Sequence, residues 1–147
     1  MQTKAYYKYA QDVIEGNVVC GRYIKLAAER FFDFMENDRY EFREEKVDYV
    51  IKFFSILRHF TGRHAGKPFA LQPWQQFVIA SIYGFYVKET NERLVKYVYI
   101  EISRKNGKTA FAAGLCLFHL IADGEMDAEV DLAANSKDQA KIAFMMG

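Results

Sequence analysis

A Gly-Lys-Thr triplet at Gly107–Thr109 contains the residue types best suited to chemistry in this sequence. Backbone N–H groups at the start of a helix offer an anion both hydrogen bonds and a positive dipole end. Gly107 lets the backbone approach phosphate oxygens, because it has no Cβ. Lys108 is placed to reach the β and γ phosphates of a nucleotide, and the Thr109 hydroxyl is placed to ligate Mg²⁺. The triplet therefore predicts a site for a nucleoside triphosphate with Mg²⁺.

The segments on either side of the triplet are typical of a phosphate-binding (Walker A) loop. Tyr97–Ile102 is a β-branched and aromatic run that predicts a strand, and the apolar run Ala110–Ile121 predicts a helix. The polar stretch Ser103–Thr109 between them predicts the loop. The usual motif has a glycine where this chain has Ile102, so the motif is a deviant form. An exposed lysine at an ordinary helix start is the alternative interpretation.

A second strand and a final helix are predicted after the apolar helix. Glu129–Ala134 predicts a short strand, and a strand, a helix and a strand in this order form a crossover that implies parallel pairing. Ser136–Gln139 matches a capping box at the start of the last helix. The predicted fold class is therefore α/β, with a parallel sheet flanked by helices.

Three amphipathic helices are predicted ahead of this strand–loop–helix unit. Their apolar residues recur at helical spacing within about Ala5–Ile14, Arg22–Met35 and Glu44–Leu57. A short extended piece around Tyr40–Phe42 lies before the third helix. We expect these helices to form a packing element or lid without chemistry of their own. The sequence thus divides into a helical segment, residues 1–60, and a nucleotide-binding segment, residues 61–147.

The polar residues between the predicted helices and the loop give weaker evidence of a function. The connection 58–68 is rich in glycine and basic side chains, which is typical of a solvated connection. His59 and His64 lack the acidic or cysteine partners of a metal site, so we interpret both as surface residues. A helix is predicted to begin at Pro73, and the amide of Gln75 on it offers the donor and the acceptor that the edge of adenine requires.

The composition indicates a folded chain of about one domain. Of its 147 residues 51% are hydrophobic and 16% aromatic, which is enough to bury a substantial core. Lysine and arginine number 20 against 19 acidic residues, so the net charge of +1 gives no global argument for binding nucleic acid. Cys20 and Cys116 are interpreted as buried free thiols in a reducing cytosol. We expect no signal peptide, because Tyr6, Tyr7, Lys8 and Gln11 interrupt any apolar run at the start. We expect no membrane span, because the longest apolar run is too short.

Several of these motifs together resemble the N-terminal part of the ATPase domain of the tailed-phage terminase large subunit. The segments that carry the resemblance are Leu71–Gln75, Ser103–Thr109, Asp123–Glu125 and Ala133–Ala140, with a similar helical lead-in at Val13–Gly16 and Leu26–Arg30. The resemblance covers essentially the whole chain. It implies a helical lead-in followed by a partial P-loop NTPase domain of the RecA-like (ASCE) class.

The resemblance implies a DNA-packaging motor. Terminase large subunits hydrolyse ATP to drive double-stranded DNA through a portal protein into a procapsid, in the cytoplasm of the bacterial host. The expected partners are therefore phage DNA, the portal protein and the small terminase subunit, with a homo-oligomeric ring as the full-length assembly. The expected cofactors are ATP and Mg²⁺.

Site residues are implied by position in the family's motifs. Gln75 would contact adenine and Thr109 would hold Mg²⁺. Arg104 and Lys108 would be the catalytic residues, since an arginine fork can contact the charge that develops on the γ phosphate. The residues that would bind the nucleotide are Gln75, Ser103, Arg104, Lys105, Asn106, Gly107, Lys108 and Thr109.

The acidic residues that complete such an ATPase are not found in the sequence. No later apolar run ends in paired acids, so the Walker B aspartate, the catalytic glutamate and the nuclease of the family are missing. We therefore expect an N-terminal fragment that binds nucleotide and is inactive alone. Two alternatives stay open: a non-catalytic remnant that acts only in protein interaction, and a fragment of another P-loop translocase such as a helicase.

Overall fold

The computed structural model describes residues 4–58, 66–103, 106–124, 126–131 and 133. Its elements are α1 (Ala5–Ile14), α2 (Arg22–Glu36), β1 (Tyr40–Phe42), α3 (Glu44–Ile56), α4 (Pro73–Tyr83), β2 (Phe85–Val87) and α5 (Lys108–Ile121). The chain forms two compact units. The first unit comprises Met1–Ile51 and Leu71–Val98, and the second comprises Lys52–Ala70 and Tyr99–Gly147. The predicted functional boundary between residues 60 and 61 stays a prediction.

The helices predicted from apolar spacing are confirmed as α1 to α4. The predicted starts at Ala5, Arg22 and Glu44 agree with the observed ones, and Pro73 opens α4 as its first helical residue. Proline suits that position because the first N–H groups of a helix have no acceptor within the helix. Local periodicity and end signals were therefore sufficient for these elements.

Aromatic packing holds the first unit together. Phe31 on α2 is 2% exposed, and edge-on contacts surround its ring. The partners, with centroid distances, are Tyr7 at 5.9 Å, Phe42 at 5.6 Å, Phe77 at 5.4 Å and Phe85 at 5.3 Å. Edge-to-face arrangements suit the quadrupoles of aromatic rings and add to the hydrophobic gain. One ring thus joins α1, α2, α4 and both strands.

The two strands form an antiparallel pair in the first unit. Tyr40 pairs with Val87, and Phe42 pairs with Phe85. Arg43 follows β1 and lies 4.3 Å from the ring centroid of Tyr86, a cation–π contact. This antiparallel pair is the sheet observed among the described residues. A parallel sheet is not seen there.

The predicted strand Tyr97–Ile102 is wrong for this structure, because the segment has no regular secondary structure. Its exposure nevertheless alternates as in an extended chain: Tyr97 is 95% and Tyr99 87% exposed, whereas Val98 between them is 50% exposed. A strand exists only when a neighbouring strand accepts its backbone hydrogen bonds. The described residues supply no such neighbour, so a strong β sequence remains without a sheet.

Other predicted features fall wholly or partly outside the described residues. The second strand at Glu129–Ala134 is described only at 129–131 and 133, where no strand is assigned. The features outside the described part of the chain are His59, His64, Arg104, Lys105, Glu125 and the capping box Ser136–Gln139. Their predicted roles stay predictions.

The core of the second unit lies between α5 and the last turns of α3. Phe54 is fully buried, and its ring centroid lies 5.6 Å from both Phe69 and Phe111. Phe53 contacts Phe118 with a centroid distance of 5.4 Å. The α5 helix, predicted as Ala110–Ile121 and observed from Lys108, thus buries one face against α3.

The two cysteines are free, as expected, but they are half-buried rather than buried. Cys116 is two positions away from Gly114 and from Phe118, which are buried in α5. Two positions turn a helix by about 200°, which places Cys116 on the opposite side. Partial burial still raises the pKa of the Cys116 thiol. Among the described helices, none is both long and apolar enough to cross a membrane.

Candidate nucleotide-binding site

The bend before α5 has the backbone geometry that a phosphate-binding loop needs. Gly107 is the N-cap residue of α5, with φ 72° and ψ 13°, in the left-handed region. Side chains with a Cβ rarely adopt this conformation, whereas glycine does so at little cost. Sequence reasoning placed glycine here for close backbone approach. The structure adds that the turn itself requires it.

The start of α5 offers backbone donors to a ligand. The N–H of Phe111 donates to the carbonyl of Gly107 at 3.0 Å, which closes the first turn of the helix. The N–H groups of Lys108, Thr109 and Ala110 precede that bond, so they have no acceptor within the helix. Among the described residues, no side-chain hydrogen bond caps this end, and the first turn contains no acidic residue. The donors and the positive end of the helix dipole therefore coincide, with no carboxylate in the first turn to compete with a ligand.

This end of α5 is open to solvent. Asn106, Gly107, Lys108 and Thr109 are all exposed. A buried bend would have excluded a triphosphate, which carries several negative charges and arrives from water. The exposed Lys108 ammonium and Thr109 hydroxyl lie in the first turn of the helix, beside these donors. The predicted grouping of Gly107, Lys108 and Thr109 at one helix end is therefore present.

A side-chain hydrogen bond links the two ends of the preceding loop. The Asn106 Nδ2 donates to the Ser103 Oγ at 2.6 Å. The bond spans Arg104 and Lys105, which lie outside the described residues. Sequence reasoning named Ser103 and Asn106 as nucleotide-binding residues but did not foresee that they contact each other. Their three-residue separation, with a hydroxyl at one end and an amide at the other, was the available signal.

Gln75 has a structural task that the sequence interpretation overlooked. It lies on α4 in the first unit and is 4% exposed. Its Oε1 accepts a hydrogen bond from the backbone N–H of Gln72 at 2.8 Å, which is the return half of a capping box. The sequence signal for this capping box was a polar residue, Gln72, three positions before Gln75 at a predicted helix start. An amide oxygen has two lone pairs and the nitrogen has two protons, so this bond uses only part of the amide's hydrogen-bonding capacity.

A second cluster of polar residues lies at the far end of α5. His119 Nδ1 and Asp123 Oδ2 are 2.7 Å apart, and Asp123 is the more buried of the two side chains. A cavity of about 350 Å³ adjoins them, lined by His119, Asp123, Ala128, Glu129, Val130 and Asp131. The four-residue spacing on a helix was the signal that could have found the pair. Within the described ranges, no group of three or more His, Cys, Asp or Glu side chains could hold a metal ion.

Comparison with known proteins bears on this site directly. A family model described as "Terminase large subunit, ATPase domain" matches residues 73–147. The matched range includes Gln75 and the whole loop at 103–109. No solved structure gives a significant match.

A curated relative gives the same result. The protein named "Terminase, large subunit" of Enterobacteria phage HK97 is 32% identical over 103 residues, which cover 69% of this chain and 19% of that protein. The chain therefore spans about a fifth of the length of the relative that it matches. The family match and this relative together show that the chain belongs to the phage terminase large subunit family and includes part of its ATPase domain.

Proposed function

We propose that this chain binds the triphosphate of MgATP at the start of α5, as part of the ATPase that powers a DNA-packaging motor. The observation that carries the proposal is the exposed, left-handed bend at Gly107, followed at once by Lys108 and Thr109 in the first turn. Membership of the terminase family supports ATP as the ligand, since the matching family model describes an ATPase domain. The backbone conformation at the deviant motif thus supports phosphate binding there.

Each group in the first turn has a separate task toward the ligand. Phosphate oxygens accept hydrogen bonds from the N–H groups of Lys108, Thr109 and Ala110, and the helix dipole favours their charge. The Lys108 ammonium offsets charge on the β and γ phosphates. The Thr109 hydroxyl suits Mg²⁺, a hard cation that commonly takes few protein ligands and fills its shell with water and phosphate oxygens. Thr109 would hold Mg²⁺, which would supply positive charge that offsets the charge of the phosphates.

Two further roles are proposed from the positions of residues in the family's motifs. Arg104 would contact the γ phosphate, where its planar fork can stabilise developing charge. Gln75 would contact the edge of adenine, which requires the donor and the acceptor that an amide offers. Both roles rest on the positions of these residues within the family's motifs.

The function of the whole protein is proposed from the family. The motor would move double-stranded DNA through a portal into a procapsid as a ring of large subunits, with a small subunit as partner, in the host cytoplasm. For the 147-residue chain itself we propose nucleotide binding without turnover, because its sequence lacks an apolar strand ending in paired acids. The alternative, a chain that acts only in protein interaction, predicts no response to nucleotide at all.

Replacement of Lys108 tests the site. We expect Lys108→Ala to lower the affinity of the 147-residue chain for MgATP by about tenfold or more, since a charge-assisted hydrogen bond is lost. Thr109→Ala should lower the affinity in the presence of Mg²⁺ and change it little in EDTA. Isothermal titration calorimetry measures both effects.

Lys52→Ala is the matched control for the Lys108 variant. Lys52 is an exposed lysine of the same unit, on α3, so its loss changes the net charge equally. Its affinity for MgATP should equal that of the unmodified chain. Equal affinities for the Lys108→Ala and Lys52→Ala proteins would refute the assignment. A lack of any binding or thermal shift with MgATP would favour the interaction-only alternative.

A further inference from the structure

Two exposed side chains contact each other just ahead of α5. Ser103 and Asn106 are both exposed, and yet the Asn106 Nδ2 donates to the Ser103 Oγ at 2.6 Å. Hydrogen bonds between two side chains are the minority class in proteins, and burial does not enforce this one. The contact therefore reflects the local geometry of the loop rather than the demands of a core.

The position of this contact connects it to the backbone donors of α5. Asn106 immediately precedes Gly107, whose left-handed conformation sets the direction in which the helix starts. Ser103 lies at the other end of the loop. A bond between them holds Ser103 and Asn106 at a constant separation, which restricts Asn106 and the Gly107 bend next to it. A site that is ordered before binding loses less conformational entropy when its ligand arrives.

We propose that Ser103 and Asn106 are positioning residues, whose mutual hydrogen bond holds the Gly107 bend in the conformation that presents the α5 N–H groups to a triphosphate. This inference rests on the nucleotide site proposed above. It adds that part of the affinity comes from a contact within the protein that does not touch the ligand. A direct phosphate contact by either side chain is the competing explanation, and the two differ in how the effects of substitution combine.

A double-mutant cycle distinguishes the positioning role from direct contact with phosphate. Ser103→Ala and Asn106→Ala each remove the bond, so each should lower the affinity for MgATP by about 3- to 10-fold. The double variant should be no weaker than the weaker single variant, because one bond can be lost only once. Ser103→Thr retains a hydroxyl and should bind with nearly the affinity of the unmodified chain. All affinities are measured by calorimetry on the 147-residue chain.

Inorganic tripolyphosphate serves as a second probe. Because the α5 N–H groups would meet the phosphates and not the base, the affinity of each single variant should fall by the same factor for MgATP and for magnesium tripolyphosphate. The melting temperature without ligand should stay nearly unchanged, since the bond is exposed. Ser55→Ala is the matched control: it removes an exposed hydroxyl of the same unit, one that donates to the Lys52 carbonyl at 2.6 Å, and should leave both affinities unchanged.

The outcomes separate the two proposals. If Lys108→Ala weakens binding but the losses at Ser103 and Asn106 multiply in the double variant, each side chain acts on its own and the positioning role is refuted. An Asn106→Ala protein with unchanged affinity refutes it as well. If the unmodified chain does not bind, or Lys108→Ala binds equally well, the nucleotide site fails and the positioning role fails with it.

Discussion

At the scale of single residues, Tyr6 is the buried polar group that the described residues leave unsatisfied. It is 0% exposed, and its hydroxyl has no hydrogen-bond partner in the described part of the chain. An unpaired buried hydroxyl costs free energy, because it gives up water without replacement. Burial also raises the pKa of Tyr6, and burial raises the pKa of Tyr7 and Tyr9. The free energy of unfolding should therefore fall at alkaline pH, where these tyrosines ionise in the unfolded chain.

Tyr6→Phe should stabilise the chain by about 1 kcal/mol at neutral pH, since the ring stays and the unpaired hydroxyl goes. Stability depends on pH because the unfolded chain ionises its tyrosines first. The free energy of unfolding is unaffected by tyrosine ionisation below about pH 10, the pKa of an exposed tyrosine. It falls as the pH rises above that value, because the unfolded chain then loses the tyrosine protons that the folded chain retains. Urea unfolding between pH 8 and 11 should show a shallower alkaline decline for Tyr6→Phe. A lower stability of this variant at neutral pH would mean that the hydroxyl has a favourable partner.

At the scale of elements, the close contact between α5 and α3 requires a glycine, Gly114, on α5. A Cβ at Gly114 would overlap the ring of the fully buried Phe54 and would lie 3.2 Å from Leu57 Cδ1. Glycine is a poor helix former, costing about 1 kcal/mol relative to alanine. Its presence in the middle of α5 is thus explained by close packing rather than by backbone conformation.

Gly114→Ala should destabilise the chain by about 1 to 3 kcal/mol, because overpacking of the Phe54 ring exceeds the gain in helix propensity. Phe54→Leu makes room at the same place. The double variant should therefore be more stable than the sum of the two single effects predicts, with a coupling that chemical denaturation can measure. Additive effects would show that the Phe54 ring moves aside without cost.

At the scale of the whole molecule, the segment ahead of the loop exposes a large aromatic surface. Tyr97 is 95% and Tyr99 87% exposed, and the described residues offer this segment no strand neighbour. A β-prone segment with unpaired backbone groups is a template for pairing with another chain. We therefore expect the 147-residue chain to self-associate through it.

Tyr97→Lys together with Tyr99→Lys should lower the apparent association constant by about tenfold or more, since charge on an unpaired strand opposes pairing. Analytical ultracentrifugation over a range of concentrations measures this. Tyr23→Lys is the control: Tyr23 is 83% exposed at the start of α2, so it is an exposed tyrosine outside the Tyr97–Ile102 segment. Equal effects of the two changes would indicate general solubility rather than strand pairing.

Sequence alone determined the features that depend on neighbours along the chain. Apolar spacing located α1, α2 and α3, proline marked the start of α4, and the Gly-Lys-Thr triplet marked the start of α5. The same local motifs identified the terminase family, which the comparisons confirm. These inferences succeeded because helix periodicity and helix ends are encoded within a few residues.

Tertiary structure decided what depends on distant partners. The segment Tyr97–Ile102 has the residues of a strand, but strand formation needs a neighbour that local sequence cannot supply. The contact of Gln75 with adenine stays a prediction, and the structure adds that the Gln75 side-chain oxygen accepts the Gln72 N–H. Likewise the left-handed bend at Gly107 and the Asn106–Ser103 bond appear only once the backbone path is known, because side-chain direction follows backbone conformation.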